Sequence, residues 1–187
     1  MALFRTAGPE PEPITLAEAK AHLRVDHDAE DELIAALISM AREVTEKRCG
    51  LVLGRQSWRL TVDRVTTAHL TPLDLHPVHA IDAVTVYDEF GVARALENES
   101  YRLCATRRPA SIAFKALPPT AEMENGVEID IDAGFDADAI PAPLRQAMLL
   151  LIGQGYETRG GFSADEQPVA IPQGYEVLVQ PFRLVRI

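Results

Sequence analysis

The sequence has few cysteines, no long apolar run and no excess of positive charge, and each absence excludes a class of protein. Cys49 and Cys104 are the only cysteines in 187 residues, too few for the disulfide framework of a small secreted domain. No run of about 18 apolar residues occurs, so no membrane span is expected. The N-terminal residues lack the apolar core of a signal peptide. We therefore expect a protein made and kept in the cytoplasm.

The charge balance is strongly acidic. Lys and Arg number 18 against 28 Asp and Glu, which gives a formal net charge of −10 at pH 7. Dedicated nucleic-acid binders carry basic patches, because neutralising phosphates supplies much of their affinity. The composition therefore disfavours that class, although an acidic surface can still serve near DNA by keeping the polymer from adhering.

The sequence is organised around one long helix, which we predict over residues 28–49. Asp28 can cap its start, acidic residues follow in the first turn, and Gly50 is typical of a helix end. Apolar residues recur at helical spacing over a broad face, which must pack against other elements. These residues are Leu33, Ile34, Leu37, Ile38, Met40, Ala41 and Val44.

Two further helices are predicted, over residues 15–24 and 141–156. Thr15 and Glu18 have the spacing of a capping box at the start of the first. Pro141 is suited to the start of the second. Residues 147–152 of that helix are apolar all round, which indicates deep burial or a contact between subunits.

Between these helices the apolar period changes to two. Residues 57–62 and 127–132 alternate apolar and polar side chains, and residues 81–87 are rich in β-branched side chains. Asp88–Gly91 has the composition of a hairpin turn. We predict an α+β fold, in which a bundle of about three helices carries an inserted, mostly antiparallel sheet at residues 55–134. The domain plan is an extended or loose arm at 1–13, one domain at 14–159, and a linker with an extended tail at 160–187.

The tail is unusually apolar for a segment behind a linker. Eight of its last thirteen residues are Tyr, Val, Leu, Phe or Ile. Burying each side chain is worth about 1.5–3 kcal/mol, and ordering each residue costs about 1–2 kcal/mol, so an isolated tail gains little. It needs a ready-made surface, either in its own domain as a last strand or on another protein, and we favour another protein.

No pattern of catalytic, cofactor-binding or metal-binding residues emerges. His69, His76 and His79 lack the convergent spacing of zinc ligands. The carboxylates of Asp130–Asp138 lack the terminal glutamate of a calcium loop. Two rival functions remain open at this point: a small acidic hydrolase that uses the carboxylates of Asp130–Asp138, and an accessory protein that binds DNA during packaging through a basic face.

The order of several short motifs is similar to that of a known family. The opening Ile14–Asp26 stretch, ITLAEAKAHLRVD, with Gln56 and Trp58 after the long helix, is the most telling part, and the Pro141 helix start follows in place. The chain resembles the head–tail connector proteins, also called adaptor or head-completion proteins, of long-tailed phages, prophages and gene transfer agents. It departs from them mildly at Cys49–Leu51 and at Phe182, where the family often has Gly-Arg-Leu and tyrosine.

The resemblance implies a structural protein without cofactors. Such adaptors form a ring, typically dodecameric, between the portal and a stopper or tail terminator, and DNA passes through the bore without sequence-specific binding. The implied location is the virion or phage-like particle, assembled in the bacterial cytoplasm. On this basis the portal-docking residues would be Tyr175, Val177, Leu178, Val179, Phe182, Arg183, Leu184 and Ile187, and the ring-packing residues would be Leu33, Leu37, Met40, Leu149 and Leu150.

Overall fold

A computed structural model of the chain describes residues 1–119, 125–158 and 172–183. The chain divides into two compact units. The sheet unit comprises Met1–Glu10 and Arg55–Phe135, and the helical unit comprises Pro11–Gly54 and Asp136–Ile187. Helices and antiparallel sheets are both present, which confirms the predicted α+β class.

The larger sheet of the sheet unit has five antiparallel strands in the order β1-β2-β8-β4-β5. Apolar side chains of the three central strands meet on one face, because Leu60 and Val84 both lie opposite Ile129 and all three are buried. The strands are β1 (Ala2–Ala7), β2 (Gln56–Val62), β4 (Val78–Tyr87), β5 (Ala93–Ala95) and β8 (Val127–Ala133).

The N-terminal residues Ala2–Ala7 form a paired strand, where an extended or loose arm was predicted over residues 1–13. Strand β1 runs antiparallel to β2, with Leu3 opposite Leu60 and Ala2 opposite Thr61. The backbone of β2 would otherwise be an unpaired sheet edge, so residues 2–7 satisfy its hydrogen-bonding groups.

A second sheet has three strands in the order β3-β7-β6. Strand β3 is Thr71–Pro72, β6 is Tyr101–Cys104 and β7 is Ser111–Phe114. Pro72 lacks a backbone N–H, and it lies on an edge strand as its chemistry requires.

The helical unit contains α1 (Leu16–Leu23), α2 (Asp31–Cys49), α3 (Ala142–Glu157) and α4 (Gln173–Val179). The capping box of Thr15 and Glu18 is formed, and Gly50 ends α2 in the left-handed conformation at φ 63°. Helix α2 begins three residues later than predicted. The Asp28 carboxylate does not cap it, because it accepts a hydrogen bond from Nζ of Lys20 at 2.6 Å.

The C-terminal segment is a helix and not the extended tail that was predicted. Helix α4 is followed by a 3₁₀ turn at Gln180–Phe182. Tyr175 and Val179 lie four residues apart, on one side of α4, and both are fully buried. An amphipathic helix therefore uses the apolar residues of this segment more completely than an extended strand would.

Candidate assembly surfaces

Most of the broad apolar face of α2 is buried within the helical unit. Ile34, Ile38 and Ala41 of α2 are buried, and so are Leu144, Met148 and Ile152 of α3. These side chains form the core in which α2 and α3 pack. On this face, only the residues at its margin remain for a contact with another molecule.

The five residues predicted to pack in a ring are only partly covered, and three of them lie on α2 and two on α3. Leu33, Leu37, Leu149 and Leu150 are half-buried, and Met40 is 37% exposed. Helix α3 passes close to two of them, because a Cβ at Gly155 would lie 2.7 Å from Cδ2 of Leu37 and 3.4 Å from Cε of Met40. The structure brings Leu37 and Met40 together, and it leaves part of each available to another molecule.

The predicted docking residues of the C-terminal segment fall into different environments. Tyr175 and Val179 lie in the core of their own helical unit, whereas Val177 is 70% exposed and Arg183 is exposed. Leu178 and Phe182 are half-buried. Leu184 and Ile187 lie outside the described residues. In this conformation a partner can reach only one side of α4 and the turn that follows it.

Helix α4 is attached to α2 by polar contacts as well. The hydroxyl of Tyr175 donates to the Thr45 hydroxyl at 3.3 Å, and burial raises the pKa of Tyr175. Arg48 pairs with the carboxylate of Glu176 at 2.5 Å. The apolar pattern of the segment predicted its burial, but nothing in the sequence indicated these partners.

A buried arginine joins the proline-rich segment before α1 to α2. Arg42 is 3% exposed, and its guanidinium donates to Glu12 at 2.8 Å and to Glu46 at 3.0 Å. Burial alone would lower the pKa of Arg42, but the neighbouring carboxylates outweigh it and raise that pKa. Sequence reasoning missed this site, although an arginine four residues after buried Ile38 was a signal for it.

A second arginine links α3 to α1. Arg145 donates to the carbonyl oxygen of Pro13 at 2.6 Å and to the carboxylate of Glu18. The hydrogen bond from Arg145 lowers the pKa of Glu18. The same glutamate completes the capping box, so one carboxylate orders the start of α1 and its packing on α3.

Two of the carboxylates in the Asp130–Asp138 stretch that a hydrolase would use, those of Asp130 and Asp132, are held in ion pairs on the larger sheet. Arg59 donates to both carboxylate oxygens of Asp130, at 2.6 and 2.9 Å. Asp132 accepts from Arg55, and Glu128 accepts from the hydroxyl of Tyr87 at 2.9 Å. These pairs build a charged sheet face, and the geometry does not favour catalysis by them.

The histidines do not converge either. His79 hydrogen-bonds through Nε2 to the carbonyl oxygen of Gly134 at 2.6 Å. In the described part of the chain no three His, Cys, Asp or Glu side chains are placed to hold a metal ion. Within those same residues, none of the helices has the length and apolarity needed to cross a bilayer.

Comparison with known proteins supports the connector resemblance. Residues 13–104, from two residues before the capping box to the end of β6, match the model of the phage gp6-like head–tail connector proteins. Over this segment the chain is similar to that connector family. The resemblance seen in the sequence is thereby confirmed.

Solved structures extend the likeness of this connector over its whole length. The neck of an empty gene transfer agent (GTA) particle, computed with C6 symmetry, contains a chain with a TM-score of 0.83 and 28% identity. A chain in the virion of a native GTA particle has a TM-score of 0.83 and 27% identity. A chain in the neck of a native GTA particle, computed with C12 symmetry, has a TM-score of 0.80 and 28% identity. Each match covers 100% of this chain and 97% of the other. A search of curated proteins finds no match.

Proposed function

We propose that this connector assembles as a ring, dodecameric by expectation, between the portal of a phage-like head and a stopper or tail terminator. It acts by assembly and not by catalysis. The observation that carries the proposal is the full-length likeness to chains of GTA necks, one of them computed with C12 symmetry, combined with the connector family match. The particle is its site of action, after assembly in the bacterial cytoplasm.

The ring contact is supported by the margin of the α2–α3 core. Cyclic assemblies need a heterologous contact, in which one patch of each copy meets a different patch of the next. Leu33, Met40 and Leu149 are apolar and incompletely buried in the single chain, so burial between copies would remove them from water.

Attachment to the portal is supported by the outer side of α4. Val177 and Arg183 are exposed there, beside half-buried Leu178 and Phe182. Each contact is small, but a ring repeats it in every copy. Once one copy has bound, each later contact forms at high effective concentration, so weak single contacts add up to firm attachment.

Passage of DNA is supported by the charge of the chain. A net charge of −10 on each copy repels a duplex in the bore, so the duplex can slide without adhering. Tight, salt-dependent DNA binding by the purified ring would instead favour the accessory protein for DNA packaging.

The test is to replace the chain in particle-producing cells with Val177→Asp, using Val177→Thr as the matched control. Val177 is largely exposed, so neither change should alter folding. We expect the aspartate variant to accumulate filled heads without tails, and the threonine variant to give complete particles by electron microscopy. Normal tailed particles in cells that lack the chain altogether would overturn the proposed function.

A further inference from the structure

The turn between β4 and β5 presents two large apolar side chains to solvent. Phe90 is 82% exposed and Val92 is 61% exposed. The backbone N–H groups of both residues donate to Oδ1 of Asp88, at 2.9 and 2.8 Å, and Asn125 donates to the carbonyl oxygen of Asp88 at 2.7 Å. The turn is therefore a preordered apolar projection, which we call the knob (residues 88–92).

A groove of about 500 Å³ lies elsewhere on the same sheet unit. Its apolar lining includes Val65, Leu70 and Pro72, and Leu70 is 39% exposed. Arg64 also lines it and is exposed. The volume falls within the range of about 300–1,000 Å³ that is usual for ligand pockets, so one aromatic side chain and its neighbour fit easily.

The sheet topology places the knob and the groove at the same end of the five-stranded sheet but toward its opposite edges. Val62 at the end of β2 and Val86 near the end of β4 both lie opposite Val127 of β8, so the segments that follow β2 and β4 leave the same end of the sheet. The groove is at the β1–β2 side and the knob at the β4–β5 side. Two to four strand spacings separate them, about 10–19 Å.

We infer that the knob of one copy inserts into the groove of the next copy, and that this contact runs around the ring through the sheet units. Copies set side by side in the same orientation bring these two patches to face each other. Such a contact is heterologous and continues from copy to copy, as a ring requires. The inference rests on the ring of the proposed function. It adds a second set of contacts between neighbouring copies to those made by the helical units.

One oppositely charged pair favours this occupant of the groove. Glu89 is exposed on the knob. Arg64 and Asp63 are both exposed among the residues that line the groove, and the Asp63 carboxylate pairs with the N-terminal amine of Met1 at 3.9 Å, which leaves Arg64 to meet Glu89. Insertion brings the two opposite charges together around the buried Phe90 side chain, and complementary charges at a rim set orientation and partner choice.

Cysteine cross-linking of the purified full-length chain tests the contact. Chains carrying Phe90→Cys are mixed with chains carrying Leu70→Cys and oxidised, and the control mixes Phe90→Cys with Phe4→Cys, an exposed site on β1. All chains carry Cys104→Ser, because Cys104 is only half-buried. We expect disulfide-linked dimers in the first mixture at several times the control yield. A yield equal to the control overturns the inference.

A chain carrying both Phe90→Cys and Leu70→Cys separates the possible symmetries. A heterologous contact links each copy to two others, so oxidation should give a ladder of dimers, trimers and higher species. A product that stops at the dimer means reciprocal pairing of two copies, and it overturns the ring contact.

Charge exchange gives an independent readout. Glu89→Arg and Arg64→Glu should each weaken self-association about tenfold in sedimentation equilibrium, and the double variant should recover most of it. If the double variant loses as much self-association as the two single variants together, the pairing of Glu89 with Arg64 is wrong. If Glu89→Arg still supports tailed particles while particles without the chain lack tails, the knob contact is wrong and the connector function stands.

Discussion

The hydroxyl of Tyr175 on α4 donates a hydrogen bond to the hydroxyl of Thr45 on α2, over 3.3 Å and wholly inside the helical unit. Val179 lies one turn further along α4 and is also buried, and its carbonyl oxygen accepts a weak bond from the Cys49 thiol at 4.0 Å. Helix α4 is therefore part of the core, and only its outer side is left to bind a partner.

Truncating Tyr175 should destabilise the helical unit. Tyr175→Ala removes a fully buried ring and leaves a cavity, so we expect the free energy of unfolding to fall by about 3–5 kcal/mol. Tyr175→Phe keeps the ring and loses one neutral hydrogen bond, which costs about 1 kcal/mol. Urea unfolding measures both. If Tyr175→Ala costs no more than Val177→Ala at an exposed site, α4 is not docked in solution.

Replacing Arg42 should expose the dependence of the proline-rich segment on the buried ion cluster. Arg42→Met leaves the carboxylates of Glu12 and Glu46 without their buried cation, and breaking such a cluster costs about 3–5 kcal/mol. Lys47→Met, at an exposed position of the same helix, is the matched control and should change stability by less than about 0.5 kcal/mol. Equal unfolding midpoints for the two variants would contradict the assignment.

The link between Glu18 and Arg145 predicts a loss of stability in acid. The pKa of Glu18 is lowered in the folded chain, so its contribution is complete above its ordinary pKa of about 4.5 and is lost as the pH falls through the lowered value. The stability difference between the parent chain and Glu18→Gln should therefore shrink below pH 4.5. Urea unfolding at a series of pH values measures it. A stability difference that stays constant as the pH falls below 4.5 would contradict this link.

Ionisation of Asp82 should have the opposite effect on stability, since it should destabilise the fold. Asp82 is exposed on β4, and partial desolvation, followed by the carboxylates of Asp132 and Asp130, raises its pKa against the opposing effect of Arg55. The ionised form is thus unfavourable in the fold, and Asp82→Asn should stabilise the chain at pH 7. The gain should disappear in acid, where Asp82 is protonated in both states. Thermal unfolding at both pH values checks this, and a gain that persists in acid would refute it.

Local chemistry was predicted correctly where a few neighbouring residues decide it. The capping box of Thr15 and Glu18 and the left-handed end at Gly50 depend on contacts within one helical turn. The start of α2 was predicted too early, because Lys20 on another helix competes for the carboxylate of Asp28. No residue near Asp28 in the sequence reveals that competitor.

The assembly residues were only partly accessible to sequence reasoning. Helical spacing identified which side chains are apolar, but not which of them the chain covers itself. Tyr175 and Val179 turned inward while Val177 remained outside, and Leu37 and Met40 were partly covered by α3 at Gly155. The knob and its groove were not identified at all, because their relation depends on strand order.

The sequence alone determined the α+β class, the helical period of the long helix, the alternation along the central strands and the resemblance to the connector family, because these depend on short-range patterns and on the order of motifs. Only the tertiary structure decided that the N-terminal segment pairs with β2, that the C-terminal segment is a docked helix, and that Arg42 is buried among carboxylates. Each of these depends on residues far apart in the chain, whose proximity arises from packing and strand pairing and is not written in any local pattern.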